Sequence, residues 1–176
     1  MKKLKLEELG RISVDQFKSA EKLPVCILLD NIRSLHNVGS AFRTADAFRI
    51  NKIYLTGITG QPPHREIQKT ALGATESVPW EYYEDSARLA KQLKDEGYTI
   101  VVVEQTTESI ALQNFEPQKK KYCLVFGNEV NGVSDAIINI GDIAVEIPQE
   151  GTKHSLNISV CLGIVAWEIF RKTMLH

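Results

Sequence analysis

The sequence predicts a single α/β domain built on a parallel sheet with helices on its faces. Short apolar runs rich in β-branched residues alternate along the chain with longer stretches of helical periodicity. A chain of 176 residues with 43% hydrophobic content is enough for one well-buried domain. We therefore expect a short, helical N-terminal extension over residues 1–23 and one domain over residues 24–176.

The elements follow in order along the chain. Ser13 and Gln16 have the spacing of a capping box, which predicts a short leading helix. Five strands are predicted, at 25–30, 52–57, 99–105, 122–127 and 143–148, with a weaker sixth at 77–83. Helices are predicted over 37–49, 65–72, 84–96, 133–139 and 155–173.

The charge limits the possible partners. With a formal net charge of -1, the surface as a whole lacks the strong positive charge that would indicate nucleic-acid binding, so a polyanion has to be met by a local basic patch. The alternative for each candidate patch is ordinary solvated charge. The candidates are Lys2, Lys3 and Lys5, then His64, Arg65 and Lys69, and then Lys119, Lys120 and Lys121.

The cysteines and the N-terminus indicate the compartment. Cys26, Cys123 and Cys161 lie in apolar runs without CxxC spacing, so neither a metal site nor a disulfide framework is predicted. Buried, reduced thiols are typical of cytoplasmic proteins. The start "MKKLKLEELGR" lacks the apolar stretch of a signal peptide, and no apolar run reaches membrane-spanning length. We expect a soluble, cytoplasmic protein with no membrane partner.

Three polar loops follow predicted strands. Ligands in open α/β sheets bind at the carboxyl ends of the strands, so these loops are the candidates for a site. Their sequences are "DNIRSLHNVGSAFRT", "FGNEVNGVS" and "IPQEGTKHSLNIS".

The first loop leads into a helix that carries Arg43 almost opposite its apolar face. Because helical side chains lean toward their own N-terminus, the guanidinium is expected over Gly39, toward the loop of Asn31 and Asn37. A glycine at that position would leave room for a ligand. The alternative is an exposed Arg43 paired with Asp46.

The second loop holds Glu129 between two glycines. Gly127 and Gly132 permit positive φ and a close approach of backbone to a ligand, although many such turns are only tight connections. Glu129 suits a hydrogen bond to a hydroxyl or a pairing with Arg43, and an exposed loop charge is the alternative.

The third loop is polar and is followed by the almost wholly apolar run "ISVCLGIVAWEIF". A helix with so little polar face predicts either a deep core position or a subunit interface, which Trp167 and Phe170 would fit. His154 is a possible general base, but a lone loop histidine is more often structural or solvated.

The chain has no GxGxxG, GxxxxGK[ST], GxSxG or HExxH motif, so the common nucleotide and hydrolase motifs do not explain the three loops. The combination "NIRSLHNVGSAFRTADAF", "LVFGNEVNGVS" and "IPQEGTKHSLNISVCLGIVAWEI" closely resembles the three motifs of the SPOUT superfamily, in its SpoU or TrmH-like branch of RNA ribose 2'-O-methyltransferases. Residues 64–80 are similar to the segment between motifs, so the resemblance covers about residues 24–172.

The resemblance implies that residues 24–176 form a SPOUT methyltransferase domain with a C-terminal deep trefoil knot, an exception to the usual unknotted topology. It implies that S-adenosylmethionine binds in the knot and that a homodimer forms through the knot and the C-terminal helix. The implied cofactor-binding residues are Gly127, Asn128, Gly132, Ile147 and Leu156. The implied catalytic and supporting residues are Asn37, Arg43, Glu129, Ser155 and Asn157.

Methyl transfer needs the ribose 2'-oxygen in line with the S-methyl bond. A guanidinium does not readily give up its proton, so we interpret Arg43 as a clamp on RNA phosphate and not as a base. Glu129 would orient Arg43 or its loop, while Asn37, Ser155 and Asn157 would fix the site by hydrogen bonds.

The substrate is expected to be RNA, with tRNA favoured over rRNA. Recognition would rest on residues 1–23 and on the domain's own loops, with modest, salt-sensitive affinity. Two other classes stay open. A non-catalytic RNA-binding relative is disfavoured by the presence of Arg43, Glu129 and Asn157 together, and an enzyme for a small nucleotide or metabolite would fit the modest charge.

Overall fold

The computed structural model describes residues 1–118 and 120–175. Lys119, from the third candidate basic patch, lies outside them. The helices are α1 (Val14–Ser19), α2 (Leu35–Ala47), α3 (Arg65–Ala71), α4 (Ala74–Ser77), α5 (Ser86–Asp95), α6 (Asp135–Ile138) and α7 (Ile158–Met174). The strands are β1 (Leu23–Asp30), β2 (Ile50–Thr56), β3 (Trp80–Tyr83), β4 (Tyr98–Val103), β5 (Ile110–Ala111), β6 (Lys121–Phe126) and β7 (Ile143–Glu146).

The seven strands form one sheet in the order β3-β2-β1-β6-β4-β7-β5, with parallel pairing throughout. This confirms the predicted α/β class with a parallel sheet. Because every strand runs in the same direction, the loops after β1, β4, β6 and β7 leave the same edge of the sheet. The deep knot stays a prediction.

Helices cover both faces of the sheet. Side chains alternate along each strand, so Ile27 of β1 faces α2, α3, α4 and α7, while its neighbour Leu28 faces α5 and α6. Phe17 of α1, within the predicted N-terminal extension, is buried in the apolar core between the sheet and the helices α2, α3, α4 and α7. No helix within the described ranges is long and apolar enough to cross a membrane.

Several element boundaries differ from the prediction because capping residues set them. The helix α2 begins two residues earlier than predicted, since Ser34 is its N-cap and accepts a hydrogen bond from the amide of Asn37 at 3.3 Å. The last helix was predicted from residue 155 but begins at Ile158, since Asn157 is its N-cap and accepts from the amide of Ser159 at 2.9 Å. Strand β5 and helix α4 were not predicted because two and four residues are too few to show a period.

The three cysteines are free. Cys26 and Cys123 are fully buried on the paired strands β1 and β6. The prediction that all three thiols are buried is wrong for Cys161 on α7, which is only half-buried because it lines a cavity.

Candidate active site

A cavity of about 530 Å³ opens at the carboxyl edge of the sheet. Its wall is built from the ends of β4, β6 and β7 and from the loops that follow them. Eight of the ten predicted site residues line it, which supports the choice of this edge. They are Gly127, Asn128, Glu129, Gly132, Ile147, Ser155, Leu156 and Asn157.

The carboxylate of Glu129 holds the first loop against the second. One oxygen, Oε2, accepts a hydrogen bond from the amide of Arg33 at 2.9 Å. The other, Oε1, accepts from the amide of Ser34 at 3.0 Å and from Nδ2 of Asn37 at 2.9 Å. Burial alone would raise the pKa of Glu129, but the hydrogen bonds from Arg33, Asn37 and Ser34 outweigh it, so the pKa lies below its ordinary value. Glu129 therefore orients the loop that precedes α2, and it does not pair with Arg43.

Asn37 extends this connection to the third loop. Its Oδ1 accepts a hydrogen bond from Nδ2 of Asn157 at 3.3 Å, while its Nδ2 donates to Glu129. Oδ1 of Asn157 accepts hydrogen bonds from the backbone amide and the hydroxyl of Ser159, at 2.9 and 2.6 Å. Side chains separated by 92 and 120 positions in the sequence thus form one chain of hydrogen bonds at the mouth of the cavity.

Arg43 does not belong to this chain of hydrogen bonds, contrary to the prediction that it leans toward Asn31 and Asn37. It is exposed and lines a separate cleft of about 470 Å³ between α2, α3 and α7, together with Lys69, Thr70 and Gly163. Arg43 does not pair with Asp46 either, and Oδ1 of Asp46 instead accepts a hydrogen bond from the hydroxyl of Ser77 at 2.5 Å. Within the described ranges, no ion pair involves Arg43.

The glycines do not leave the space that the sequence suggested. A Cβ on Gly39 would overlap the hydroxyl of Thr70 and the carbonyl of Ile67, so α3 and not a ligand fills that room. Gly127 has no positive φ, and a Cβ on it would overlap the backbone of Gly132. Of the two glycines predicted in the second loop, Gly132 has the expected left-handed conformation, with φ 69°.

The side chain of Asn128 forms hydrogen bonds with the protein backbone. Its Nδ2 donates to the carbonyl of Asn31 at 2.7 Å, and its Oδ1 accepts from the amide of Val130 at 2.9 Å. Close by, the buried carboxylate of Asp30 accepts from the amide of Ser134 at 3.0 Å. The second loop is therefore held to the end of β1 at two places.

Sequence reasoning missed Glu104 and Gln105 at the end of β4, which also line the cavity. The predicted strand ran to residue 105 and so placed both inside the sheet, whereas β4 ends at Val103. Their signal was a polar pair directly after a buried run. Nε2 of Gln105 donates to the carbonyl of His154 at 2.9 Å, and His154 lies on the cavity wall.

The sheet order and the cavity define an α/β protein with a candidate ligand site at the carboxyl edge of its parallel sheet. The model of the SpoU rRNA Methylase family matches residues 24–167, and the chain belongs to this family.

The chain is 30% identical over 161 residues to the 23S rRNA (guanosine-2'-O-)-methyltransferase RlmB of Neisseria meningitidis, covering 92% of this chain and 64% of that protein. It is 30% identical over 162 residues to a putative TrmH family tRNA/rRNA methyltransferase of Staphylococcus aureus, covering 90% and 64%. The chain thus spans 64% of the length of these curated relatives.

Two solved structures of RNA-modifying enzymes have a fold similar to that of this chain. The A. aeolicus TrmH/SpoU tRNA modifying enzyme superposes with a TM-score of 0.80 at 28% identity, covering 90% of this chain and 79% of that one. An AdoMet-bound rRNA methyltransferase from Sinorhizobium meliloti superposes with a TM-score of 0.81 at 25% identity, covering 89% and 59%.

Proposed function

We propose that the protein is an S-adenosylmethionine-dependent RNA methyltransferase that transfers a methyl group to a ribose 2'-hydroxyl, with tRNA favoured over rRNA as the substrate. The observation that carries the proposal is the hydrogen-bonded connection Glu129–Asn37–Asn157 at the mouth of a cavity lined by the predicted cofactor residues. Family membership supports methyl transfer, and the name of the Neisseria relative supports the 2'-oxygen. The A. aeolicus neighbour supports tRNA.

The cavity suits this cofactor. Its volume falls in the range of small-molecule sites, roughly 300–1,000 Å³. Apolar side chains that could hold an adenine are part of its lining, and they include Phe126, Ile147, Leu156 and Ile158. The loop 127–132 forms another part of the cavity wall. Bound S-adenosylmethionine would supply an activated methyl group on a sulfonium sulfur.

The chain's own residues would position the nucleotide. Ser155 and Asn157 lie on the cavity wall within the third loop, where the hydroxyl of Ser155 and the second hydrogen on Nδ2 of Asn157 can donate to the ribose. Asn37 and Glu129 fix the loops that carry them and so act as positioning residues. Arg43 would bind an RNA phosphate from its own cleft, where Lys69 adds a second positive charge.

The homodimer is supported by an exposed apolar row on α7. Val160, Ile164 and Trp167 expose 51%, 39% and 46% of their surfaces and recur at helical spacing. Gly163, beside this row, lines the cleft of Arg43, so a second copy docked on α7 would lie next to the proposed phosphate clamp. The variant Trp167→Lys should lower the molar mass measured by light scattering from dimer to monomer. An unchanged mass would refute α7 as the interface.

The function is tested by transfer of labelled methyl from S-adenosylmethionine to unmodified tRNA and, separately, to rRNA. Wild type should yield 2'-O-methylnucleotide from tRNA, and Arg43→Ala should lose most of this activity. Arg43→Lys should recover little, because an ammonium cannot bind phosphate through two parallel hydrogen bonds. Arg88→Ala, an exposed arginine on the opposite face of the sheet, is the matched control.

Each outcome of this assay is informative. Methylation of rRNA alone would overturn the choice of tRNA and keep the reaction. Label on a base would refute the ribose as acceptor. Cofactor binding without transfer to either RNA would support a non-catalytic RNA-binding relative.

A further inference from the structure

Glu104 is a half-buried carboxylate on the cavity wall that has no part in the roles proposed above. Its Oε1 accepts from the amide of Gln105 at 2.9 Å, and its Oε2 accepts from the amide of Val133 at 3.1 Å. A Cβ on Gly132 would overlap Oε2, so the backbone of the second loop packs directly on this carboxylate. Glu104 is thus fixed where β4 meets the second loop.

The cavity wall is acidic. Glu104, Glu129 and Glu146 line it, and the described lining residues include neither lysine nor arginine. The side-chain and backbone groups that donate to these three carboxylates are all neutral, for example the hydroxyl of Ser109, which donates to Glu146 at 2.8 Å. No ion pair in the described part of the chain neutralises any of the three.

The charge of Glu104 acts inside the cavity. Cys161 lies on the same wall, and burial together with the nearby charge of Glu104 raises the pKa of its thiol to about 11. A ligand in the cavity would experience the same negative potential, which favours a positive charge.

We propose that Glu104 is a specificity residue by which the cavity prefers S-adenosylmethionine, a sulfonium cation, over S-adenosylhomocysteine, in which the sulfur is neutral. The inference rests on the proposed cofactor. When the methyl group passes to the 2'-oxygen, the hydroxyl proton is released and the electron pair of the S–C bond returns to sulfur. The positive charge on sulfur is thereby lost, and with it the attraction to Glu104. The product would then bind more weakly than the substrate and leave more readily.

The test is isothermal titration calorimetry of both ligands with Glu104→Gln and Glu104→Ala. Glutamine keeps an oxygen that can accept the amide of Val133 but removes the charge. We expect Glu104→Gln to weaken S-adenosylmethionine binding by roughly three- to ten-fold, because the attraction between a carboxylate and a sulfonium in a partly hydrated site is lost, and to leave S-adenosylhomocysteine within about two-fold. Glu104→Ala should weaken both ligands, because the second loop loses its support. Glu21→Gln removes one exposed carboxylate before β1 and serves as the control for net charge.

The outcomes separate this inference from the proposed function. Equal weakening of both ligands by Glu104→Gln, or of neither, would overturn the charge discrimination and leave Glu104 as a loop support only. If wild type fails to bind S-adenosylmethionine, the proposed cofactor is wrong and the inference falls with it. If wild type binds and discriminates but methylates no RNA, only the proposed reaction is refuted. High salt should reduce the difference between wild type and Glu104→Gln.

Discussion

The buried contact between α2 and α3 gives the sharpest stability prediction, at Gly39. This glycine is buried within α2, and a Cβ on it would overlap the hydroxyl of Thr70 and the backbone carbonyl of Ile67. The Thr70 hydroxyl could rotate away only by giving up its hydrogen bond to the carbonyl of His36, at 3.0 Å. The Ile67 carbonyl belongs to the helix backbone of α3, so the whole helix would have to move.

The change in the free energy of unfolding caused by Gly39→Ala is the sum of opposing contributions. Alanine favours the helix over glycine by about 1 kcal/mol. Overpacking of a tight contact costs about 1–3 kcal/mol, and the lost Thr70 hydrogen bond costs about 1 kcal/mol. We expect a net destabilisation near 2 kcal/mol, which lowers the Tm by about 4–8 °C for a chain of this size.

Thermal unfolding followed by circular dichroism measures this change. Gly163 in α7 is the matched control, because a Cβ there meets no atom within 4 Å and Gly163→Ala should raise the free energy of unfolding by up to about 1 kcal/mol. If Gly39→Ala were as stable as wild type, α3 would not fill the space beside Gly39. The interpretation from sequence, that this space is open to a ligand, would then return.

Three further predictions concern ionisable and polar side chains. Hydrogen bonds from Arg171 lower the pKa of Glu168 to about 2, so this carboxylate stabilises the fold above about pH 4.5 and the contribution disappears as the pH falls toward 2. The Tm difference between wild type and Glu168→Gln should accordingly vanish near pH 2, and a constant difference would contradict the pairing. Burial raises the pKa of Cys161 to about 11, so at pH 8 its alkylation should be roughly a hundred-fold slower than that of a free thiol, as followed by mass spectrometry. Asn37→Asp would place a carboxylate against Glu129, raising the pKa of the pair, so the variant should be destabilised at pH 7 and recover on acidification to pH 4. Equal destabilisation of Asn37→Asp at both pH values would exclude the repulsion.

The location of the site could be predicted from the sequence because it depends on strand direction alone. Alternating apolar runs and helices indicate a parallel sheet, and in such a sheet the loops after β1, β6 and β7 leave the same edge. This was enough to place Glu129 and Asn157 on one cavity. The hydrogen bond between Asn37 and Asn157 required the register of α2 against α7, which no local pattern contains.

The predictions from sequence failed for residues whose surroundings are set by elements distant in the sequence. Helical periodicity correctly predicted that Arg43 lies outside the core, but the position of α3 and α7 decides which surface it joins. Gly39 shows the same limit, since an absent side chain indicates a close approach without indicating what approaches. Glu104 was missed because apolar runs locate strands well and their ends poorly.

The geometry of α2 determines whether Arg43 can reach the cavity of its own chain. Asn37 and Arg43 are six positions apart on one helix, which separates them by about 120° around the axis and about 9 Å along it. Asn37 is hydrogen-bonded to Asn157 at the mouth of the cavity, whereas Arg43 of the same chain lines a different cleft, which reaches Gly163 beside the exposed apolar row of α7. We propose that a second copy docked on that row places its own cavity beside this Arg43. We therefore expect that an equimolar mixture of Arg43→Ala and Asn157→Ala, unfolded and refolded together, regains about a quarter of wild-type methyl transfer. Half of the dimers would be mixed, and each would hold one complete site. No recovery in a mixture shown to contain mixed dimers would mean that Arg43 and Asn157 of the same chain act together, with RNA spanning the cavity and the cleft.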